Sequence, residues 1–189
     1  MISLFLYILS SLFCVGIANL IKPDSNKIVD IVHNNLPYLN SLYISDFLVL
    51  IPVVYTLLLM DSYSLSKLFL TMFIVQICKG ICSISTVLPP LKKYDDKYRL
   101  GGINGSGTEY IFSGHACYSC LCAIYLTGIF NFSTVAIYNL ISQFLIILTR
   151  NHYTVDVILA WIITSSVHLN LEFCIKSQNC NKYISLILE

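Results

Sequence analysis

Two short motifs carry the residues of this sequence that are best suited to chemistry. The first motif reads Ser113-Gly114-His115, and the second reads His152-Tyr153-Thr154-Val155-Asp156. Both stand at the predicted ends of membrane-spanning segments, and an ionisable side chain costs roughly 2.5–3.5 kcal/mol when it is carried to the middle of a bilayer. Two histidines and an aspartate at such positions therefore indicate a chemical role.

The spacing of the second motif predicts a histidine activated by a carboxylate. His152 and Asp156 are four residues apart, so a helix that begins near Tyr153 places them on one face, one turn apart. A carboxylate in that place holds the imidazole in one tautomer and makes it a better nucleophile. His115 is then available to supply or remove a proton. This is the outline of a phosphoryl-transfer site built from two histidines.

The composition indicates a protein of the lipid bilayer. Of the 189 residues, 57% are hydrophobic and only 11% are charged, and the mean hydropathy is +0.77. Soluble domains carry about 25% charged residues. We therefore expect a single all-α integral membrane domain over residues 1–189, with the catalytic motifs within residues 109–156. The net charge of +1 does not indicate any charged partner, and we expect no nucleic-acid partner.

The elements that must position the motifs are predicted to be six transmembrane helices. Windows of about 20 residues, long enough to cross roughly 30 Å as helix, place these spans at residues 2–21, 42–60, 65–88, 110–130, 134–148 and 153–175. The first span lacks a basic start and a small-residue cleavage site, which favours a retained anchor over a removed signal peptide. A surface or interfacial helix is expected before the second span, and a polar, glycine-rich loop covers residues 91–109.

The sidedness of the chain stays open at this point. The loops after spans one, three and five carry most of the lysines and arginines. The positive-inside rule places that face in the cytosol. A site that binds phospholipid phosphates needs cations as well, so the count of basic residues does not decide the orientation.

The motifs resemble those of a known family. Ser113-Gly114-His115 and the motif from His152 to Asp156 resemble the two catalytic motifs of the sphingomyelin synthases, a membrane branch of the type-2 phosphatidic acid phosphatase superfamily. Cys78-Lys79-Gly80-Ile81 and Ser85-Thr86-Val87-Leu88-Pro89 resemble the third span of the plant phosphatidylcholine:diacylglycerol cholinephosphotransferases. The resemblance covers about residues 70–165 and implies a type-2 phosphatidic acid phosphatase-like bundle of six helices.

The resemblance implies a role for each residue of the catalytic triad. In the implied mechanism, His152 attacks the phosphorus of a phospholipid, and Asp156 orients the His152 imidazole and supports its charge. His115 protonates the departing diacylglycerol oxygen and then deprotonates the incoming hydroxyl. The implied intermediate is a phosphorylated head group on His152, with ping-pong kinetics. The implied donor is phosphatidylcholine and the implied acceptor is diacylglycerol or ceramide, with no metal and no cofactor.

The same resemblance sets the expected location. We expect a multi-pass protein of the endoplasmic reticulum, the Golgi or the plasma membrane. The oligomeric state stays open, with a homo-oligomer among the options.

Six further residues are expected to bind the substrate or to shape its site. They are Lys79, Glu109, Ser113, Gly114, Arg150 and Tyr153. Lys79 stands where relatives carry an arginine, which favours phosphate binding over a side chain that merely snorkels to the interface. Arg150 is either a phosphate ligand or an interface anchor. Glu109 replaces the aspartate that sphingomyelin synthases carry four residues before their serine, and it keeps the charge.

Departures from the family pattern leave the head group and the acceptor open. Ala116 stands where the synthases carry a threonine. Lys92 and Arg99 imitate part of the phosphatase signature, but Leu100 replaces its proline, and Ile146 stands where its second arginine is expected. A lipid phosphate phosphatase with the same triad is therefore the alternative function. A non-catalytic scaffold or lipid sensor is the least favoured class, because it needs none of the three triad residues.

Three remaining features receive structural interpretations. Asp46 and Asp61 bound the second span and are expected to mark its interfaces. The glycine-rich residues 101–107 lack the lysine of a nucleotide-binding loop and predict either a lid over the head group or a plain connector. The eight cysteines show no disulfide framework and are expected to be packing thiols.

Overall fold

The part of the chain that the structure describes is built from helices. The structure is a computed structural model that describes residues 2–20, 29–39, 42–86, 88, 111–177, 184 and 187–188. Its helices, in chain order, are α1 (Ile2–Leu20), α2 (Ile31–Asn35), α3 (Leu42–Leu59), α4 (Ser62–Ser85), α5 (Gly114–Leu126), α6 (Phe132–Leu148) and α7 (Thr154–Lys176). No strand occurs among these residues, in agreement with the expected all-α fold.

Two of the described helices, α4 and α7, are long and apolar enough to cross a membrane. The shorter apolar helical stretches are Ile2–Ile17, Tyr43–Leu59, Gly114–Leu126 and Phe132–Leu148. With 13 residues, α5 is only about 20 Å long at a rise of about 1.5 Å per residue, less than the roughly 30 Å of a hydrocarbon core. The structure therefore supports two spans, and the full set of six stays a prediction.

Capping residues shift two helix starts away from the predicted bounds. The hydropathy of the sequence predicts a fourth span from residue 110, but α5 begins at Gly114 because the Ser113 hydroxyl accepts the amide hydrogen of Ala116 at 3.1 Å. Helix α4 begins at Ser62, three residues earlier than predicted, because Asp61 accepts the amide hydrogen of Ser64 at 2.8 Å. Hydropathy reports the apolar stretch, whereas the caps decide where the helix begins.

Helix α5 lies at the centre of the bundle. It packs against α3, α4, α6 and α7, while α1 lies along α4. The main core cluster comprises Val49, Val75, Phe112, Ala116, Cys117, Ile146, Val157 and Ala160. Gly80 permits the close approach of α1, because a Cβ at Gly80 would stand 3.4 Å from the ring of Phe13. The N-terminal end of α5, where His115 lies, is thereby held by most of the other helices.

Polar side chains form hydrogen bonds and an ion pair within the largely apolar bundle. The Ser119 hydroxyl of α5 donates to Asn139 Oδ1 of α6 at 2.9 Å, and Gln143 Nε2 donates to the same oxygen at 3.0 Å. Lys67 of α4 forms an ion pair with Glu172 of α7. The two contacts that join different helices, Ser119 with Asn139 and Lys67 with Glu172, stabilise helix association in a membrane, where lipid is as apolar as the core.

The outward faces of the long helices are apolar. Large side chains such as Phe5, Leu58, Ile137 and Phe173 are exposed on four different helices, which is the surface expected of a protein in contact with lipid tails. Four of the described cysteines, Cys14, Cys117, Cys120 and Cys122, are buried in the bundle, which is the placement expected of packing thiols.

Candidate active site

The first histidine is positioned by the N-terminal end of α5. Ser113 is the N-cap residue, and His115 is the second residue of the helix. The Ser113 amide donates to the carbonyl oxygen of Asp156 at 3.2 Å, and the Ser83 hydroxyl of α4 donates to the carbonyl oxygen of Ile111 at 3.2 Å. These bonds fix the start of α5 against both α4 and α7. The two histidine motifs are therefore joined directly through their backbones.

The second histidine stands immediately before α7. Tyr153 is the N-cap residue of α7, and Asp156 Oδ2 accepts the Tyr153 amide hydrogen at 3.0 Å. The same carboxylate oxygen lies 4.0 Å from His152 Nδ1. This separation is that of an ion pair and is longer than a hydrogen bond. The Asp156 side chain is fully buried, and the His152 side chain is 10% exposed, so we call His152 and Asp156 the buried pair.

The two histidine rings face each other across the junction of α5 and α7. Their centroids are 5.9 Å apart, and the ring planes are tilted by 58°. Both rings lie at helix N-termini, where the helix dipole favours a negatively charged group. Two imidazoles so placed are suited to bind a phosphate group and to exchange bonds and protons with it.

An aspartate of α3 completes the surroundings of the first histidine. His115 Nε2 and Asp46 Oδ1 are 2.8 Å apart, which is the distance of a hydrogen bond between charged or partly charged groups. The side chains are 36% and 59% exposed, respectively, and we call them the exposed pair. Asp46, which the sequence predicts to mark an interface, also makes this contact with His115. The available signal was a single carboxylate within the apolar sequence of α3.

Lys79 supplies a cation at the same place. A Cβ on Gly114 would stand 3.4 Å from Lys79 Nζ, so the ammonium of α4 reaches the first residue of α5. Ser113, Gly114 and Lys79, all predicted to bind substrate, therefore lie beside the two histidines. The positive charge and the N-terminus of α5 together favour an anionic group at this point.

Arg150 makes its described contacts with a different part of the molecule. Its Nη2 atom donates to the carbonyl oxygen of His33 at 3.0 Å, and its guanidinium lies 5.2 Å from the centroid of the Tyr38 ring. His33 and Tyr38 belong to residues 29–39, which include α2 and which we call the interfacial segment. Phosphate binding by Arg150 stays a prediction, and the contacts observed are those of an anchor for this segment.

The interfacial segment also contacts the start of α7. Asp30 accepts hydrogen bonds from the Thr154 amide at 2.7 Å and from the Thr154 hydroxyl at 3.0 Å. The Tyr153 ring stacks on that of His33, with centroids 6.3 Å apart. Burial raises the pKa of Asp30, but hydrogen bonds from Thr154 and His33 outweigh it, so the pKa lies below its ordinary value.

Several predicted features lie outside the described residues. Glu109, the glycine-rich stretch 101–107 and the basic residues Lys92 and Arg99 belong to this group. Among the residues that the structure does describe, no group of three metal-ligating side chains occurs.

The histidine motifs fall within a match to a known family. Residues 107–173 match the family model described as PAP2 superfamily C-terminal. This region contains both histidine motifs, helices α5 and α6, and most of α7. The match supports a type-2 phosphatidic acid phosphatase-like enzyme, whose reactions are of the phosphatase or phosphotransferase type and concern lipids. No curated protein matches the chain.

Proposed function

We propose that this chain is a membrane phosphotransferase that moves a phosphorylated head group from a glycerophospholipid to a lipid hydroxyl. The observation that carries the proposal is the arrangement of the two histidines, whose ring centroids are 5.9 Å apart, with a buried carboxylate behind His152. One imidazole can bond to phosphorus while the other handles the proton of the leaving or attacking oxygen. The family match supports the same chemistry at the level of the superfamily.

The first half of the reaction forms a phosphohistidine. Because His152 Nδ1 faces Asp156, Nε2 is the atom that attacks phosphorus. A bond forms between Nε2 and phosphorus, and the bond from phosphorus to the glycerol oxygen breaks. His115 gives its proton to that oxygen, so diacylglycerol leaves as a neutral alcohol. Positioned proton transfer of this kind contributes about 10²–10⁴-fold to a rate.

The second half of the reaction returns His152 and His115 to their starting states. The acceptor hydroxyl gives its proton to His115, its oxygen bonds to phosphorus, and the bond from phosphorus to His152 breaks. Lys79 and the N-terminus of α5 neutralise the non-bridging phosphate oxygens throughout. The proposed donor is phosphatidylcholine, the proposed acceptor is diacylglycerol or ceramide, and the proposed setting is a six-span bundle in an endomembrane or the plasma membrane.

A lipid phosphate phosphatase is the second candidate, because the matched family model is that of a phosphatase superfamily. The same three residues serve both reactions. The reactions differ only in whether water or a lipid hydroxyl attacks the phosphohistidine. The two functions are therefore distinguished by products rather than by the effects of mutations.

Head-group transfer by the purified protein in liposomes tests the proposal. Phosphatidylcholine labelled in its phosphocholine group is offered with diacylglycerol of distinct acyl chains and with ceramide. Labelled sphingomyelin establishes a ceramide acceptor, and labelled phosphatidylcholine with the new acyl chains establishes diacylglycerol as the acceptor. Free phosphocholine, or inorganic phosphate from added phosphatidic acid, establishes the phosphatase.

A matched histidine provides the control for that assay. His168 lies on α7, twelve residues beyond Asp156 and hence about 18 Å along the helix axis. We expect His152→Ala to abolish product and His168→Ala to retain it. Product formation by His152→Ala at the wild-type rate contradicts the proposal.

A further inference from the structure

The contact between His115 and Asp46 has the geometry of a specific hydrogen bond, which two charged groups that meet by chance on a surface need not have. The 2.8 Å separation of Nε2 and Oδ1 is that of a well-formed hydrogen bond. Helix α3 begins at Leu42, so Asp46 lies beyond the first turn, where the helix dipole no longer stabilises a carboxylate appreciably. Capping of its own helix therefore does not explain this carboxylate in an otherwise apolar sequence.

Two further contacts fix the part of α3 that carries Asp46. Asn151, the neighbour of His152, donates to the hydroxyl of Ser45, the neighbour of Asp46. The Tyr138 hydroxyl of α6 donates to the carbonyl oxygen of Leu48 at 2.7 Å. Asp46 thus lies between two anchored positions, and one of those anchors belongs to the residue next to the proposed nucleophile. These two hydrogen bonds fix the backbone of α3 and so place the Asp46 carboxylate next to His115. They do so independently of the contact between Asp46 and His115.

We propose that Asp46 is a positioning residue that holds His115 in the tautomer required for proton transfer. An ionised carboxylate only accepts hydrogen bonds, so His115 Nε2 carries a hydrogen and Nδ1 is the atom that gives and takes the proton. The carboxylate also stabilises the positive charge of the imidazolium in the states in which both nitrogens are protonated. This inference rests on the proposed function, because it assigns Asp46 a part in the same two-step reaction.

The role predicts different behaviour in the two halves of the reaction. With phosphatidylcholine as donor, His115 must protonate a basic alkoxide as the bond from phosphorus to oxygen breaks. With 4-nitrophenyl phosphocholine as donor, the leaving nitrophenolate is stable without a proton, and only the second half needs His115. A carboxylate that acts through His115 therefore matters for both halves with the natural donor and for the second half alone with the activated donor.

The experiment measures wild type, Asp46→Asn and Asp46→Glu with both donors. We expect Asp46→Asn to lower kcat with phosphatidylcholine by about 10- to 100-fold, within or just below the range of a positioned proton transfer, without changing KM. The initial burst of nitrophenolate should keep its wild-type rate, because it reports formation of the phosphohistidine. Asp46→Glu restores the charge on a longer side chain and should recover part of the lost kcat.

The matched control is Asp61→Asn, which removes a carboxylate just beyond the other end of α3. Asparagine is as good an N-cap as aspartate, so this variant should behave as wild type with both donors. Equal slowing of the burst and of the phosphatidylcholine reaction by Asp46→Asn overturns the positioning role, as does unchanged kcat. If wild type yields neither transferred lipid nor nitrophenolate, the proposed function fails, and this inference fails with it.

Discussion

The two histidines of the site lie in opposite environments, although each has an aspartate beside it. The buried pair joins His152 to a carboxylate that is fully enclosed, whereas the exposed pair joins His115 to a carboxylate that is 59% exposed. Asp156 also accepts the Tyr153 amide hydrogen, and its carbonyl oxygen accepts that of Ser113. Asp46 has one described side-chain contact, with His115.

This difference separates two tasks. A nucleophile that carries a phosphorylated group must be held in one orientation and kept from competing water, which burial at the start of α7 achieves. A proton carrier must exchange protons with an oxygen that leaves and with another that arrives, which an accessible ring can do. In the proposed reaction, the buried pair therefore couples the fold to the chemistry, while the exposed pair affects the chemistry alone. The following variants test that separation, in order of decreasing effect.

The largest effect is expected from the nucleophile itself. His152→Ala should reduce transfer by more than about 10⁴-fold, beyond the upper end of the range for a proton carrier. His115→Ala should lose about 10²–10⁴-fold with phosphatidylcholine and keep its nitrophenolate burst with the activated donor. The burst of each variant with 4-nitrophenyl phosphocholine is the measurement. A preserved burst in His152→Ala would reverse the two assignments.

The next prediction distinguishes the carboxylates of Asp156 and Asp46 by what each contributes to the free energy of unfolding. Asp156→Ala leaves the Tyr153 amide hydrogen without its acceptor and should lower the free energy of unfolding by about 1–3 kcal/mol. Asp46→Ala should change it by no more than about 1 kcal/mol, because exposed ion pairs contribute little. Asp156→Asn keeps an acceptor oxygen and should remain folded with residual activity. Thermal unfolding in detergent measures all three, and equal losses for the two alanine variants would refute the separation.

A smaller effect is expected for the cation beside Gly114. Lys79→Gln should lower kcat/KM for the donor by about 10- to 100-fold, because hydrogen bonds to charged groups contribute about 1.5–3 kcal/mol. Lys79→Arg should recover most of this loss. The control is Lys67→Gln on the same helix, about 18 Å away along its axis and paired with Glu172. If both glutamine variants reduce kcat/KM equally, Lys79 has no specific role in phosphate binding.

The smallest effect concerns the interfacial segment. The pKa of Asp30 is lowered in the folded protein, so its carboxylate stabilises the fold at pH values above the ordinary pKa and loses this contribution as the pH falls through the lower, folded value. Asp30→Asn should therefore unfold at a lower temperature than wild type at pH 7. The difference should shrink as the pH falls below 3.8, the ordinary pKa of an aspartate. A difference that grows toward acid would mean that the carboxylate is not stabilised as its contacts indicate.

The sequence predicts the helices well, because they depend on local patterns. Runs of apolar residues indicate the helices to within a few residues, and the exception at α5 arises because Ser113 caps the helix after residue 110. The convergence of His115 and His152 follows from the resemblance of the two motifs to a known family. It does not follow from hydropathy, which carries no information about which helix ends meet.

The positions of Asp46 and Arg150 could not be read from the sequence for a different reason. Asp46 and His115 are 69 residues apart, and no periodic pattern connects them. Arg150 lies two residues before His152, yet its side chain reaches the interfacial segment instead. A long side chain can point in several directions from the same backbone position, and the packing of distant elements decides among them.

Trapping the phosphorylated intermediate shows directly whether His152 is the nucleophile. The protein is mixed with phosphatidylcholine labelled in its phosphate, quenched within one turnover in base, which preserves phosphohistidine, and digested for mass spectrometry. We expect a phosphocholine adduct on the peptide that contains His152, present in wild type and absent from His152→Ala. An adduct on His115, or turnover with no adduct on any histidine, would contradict it.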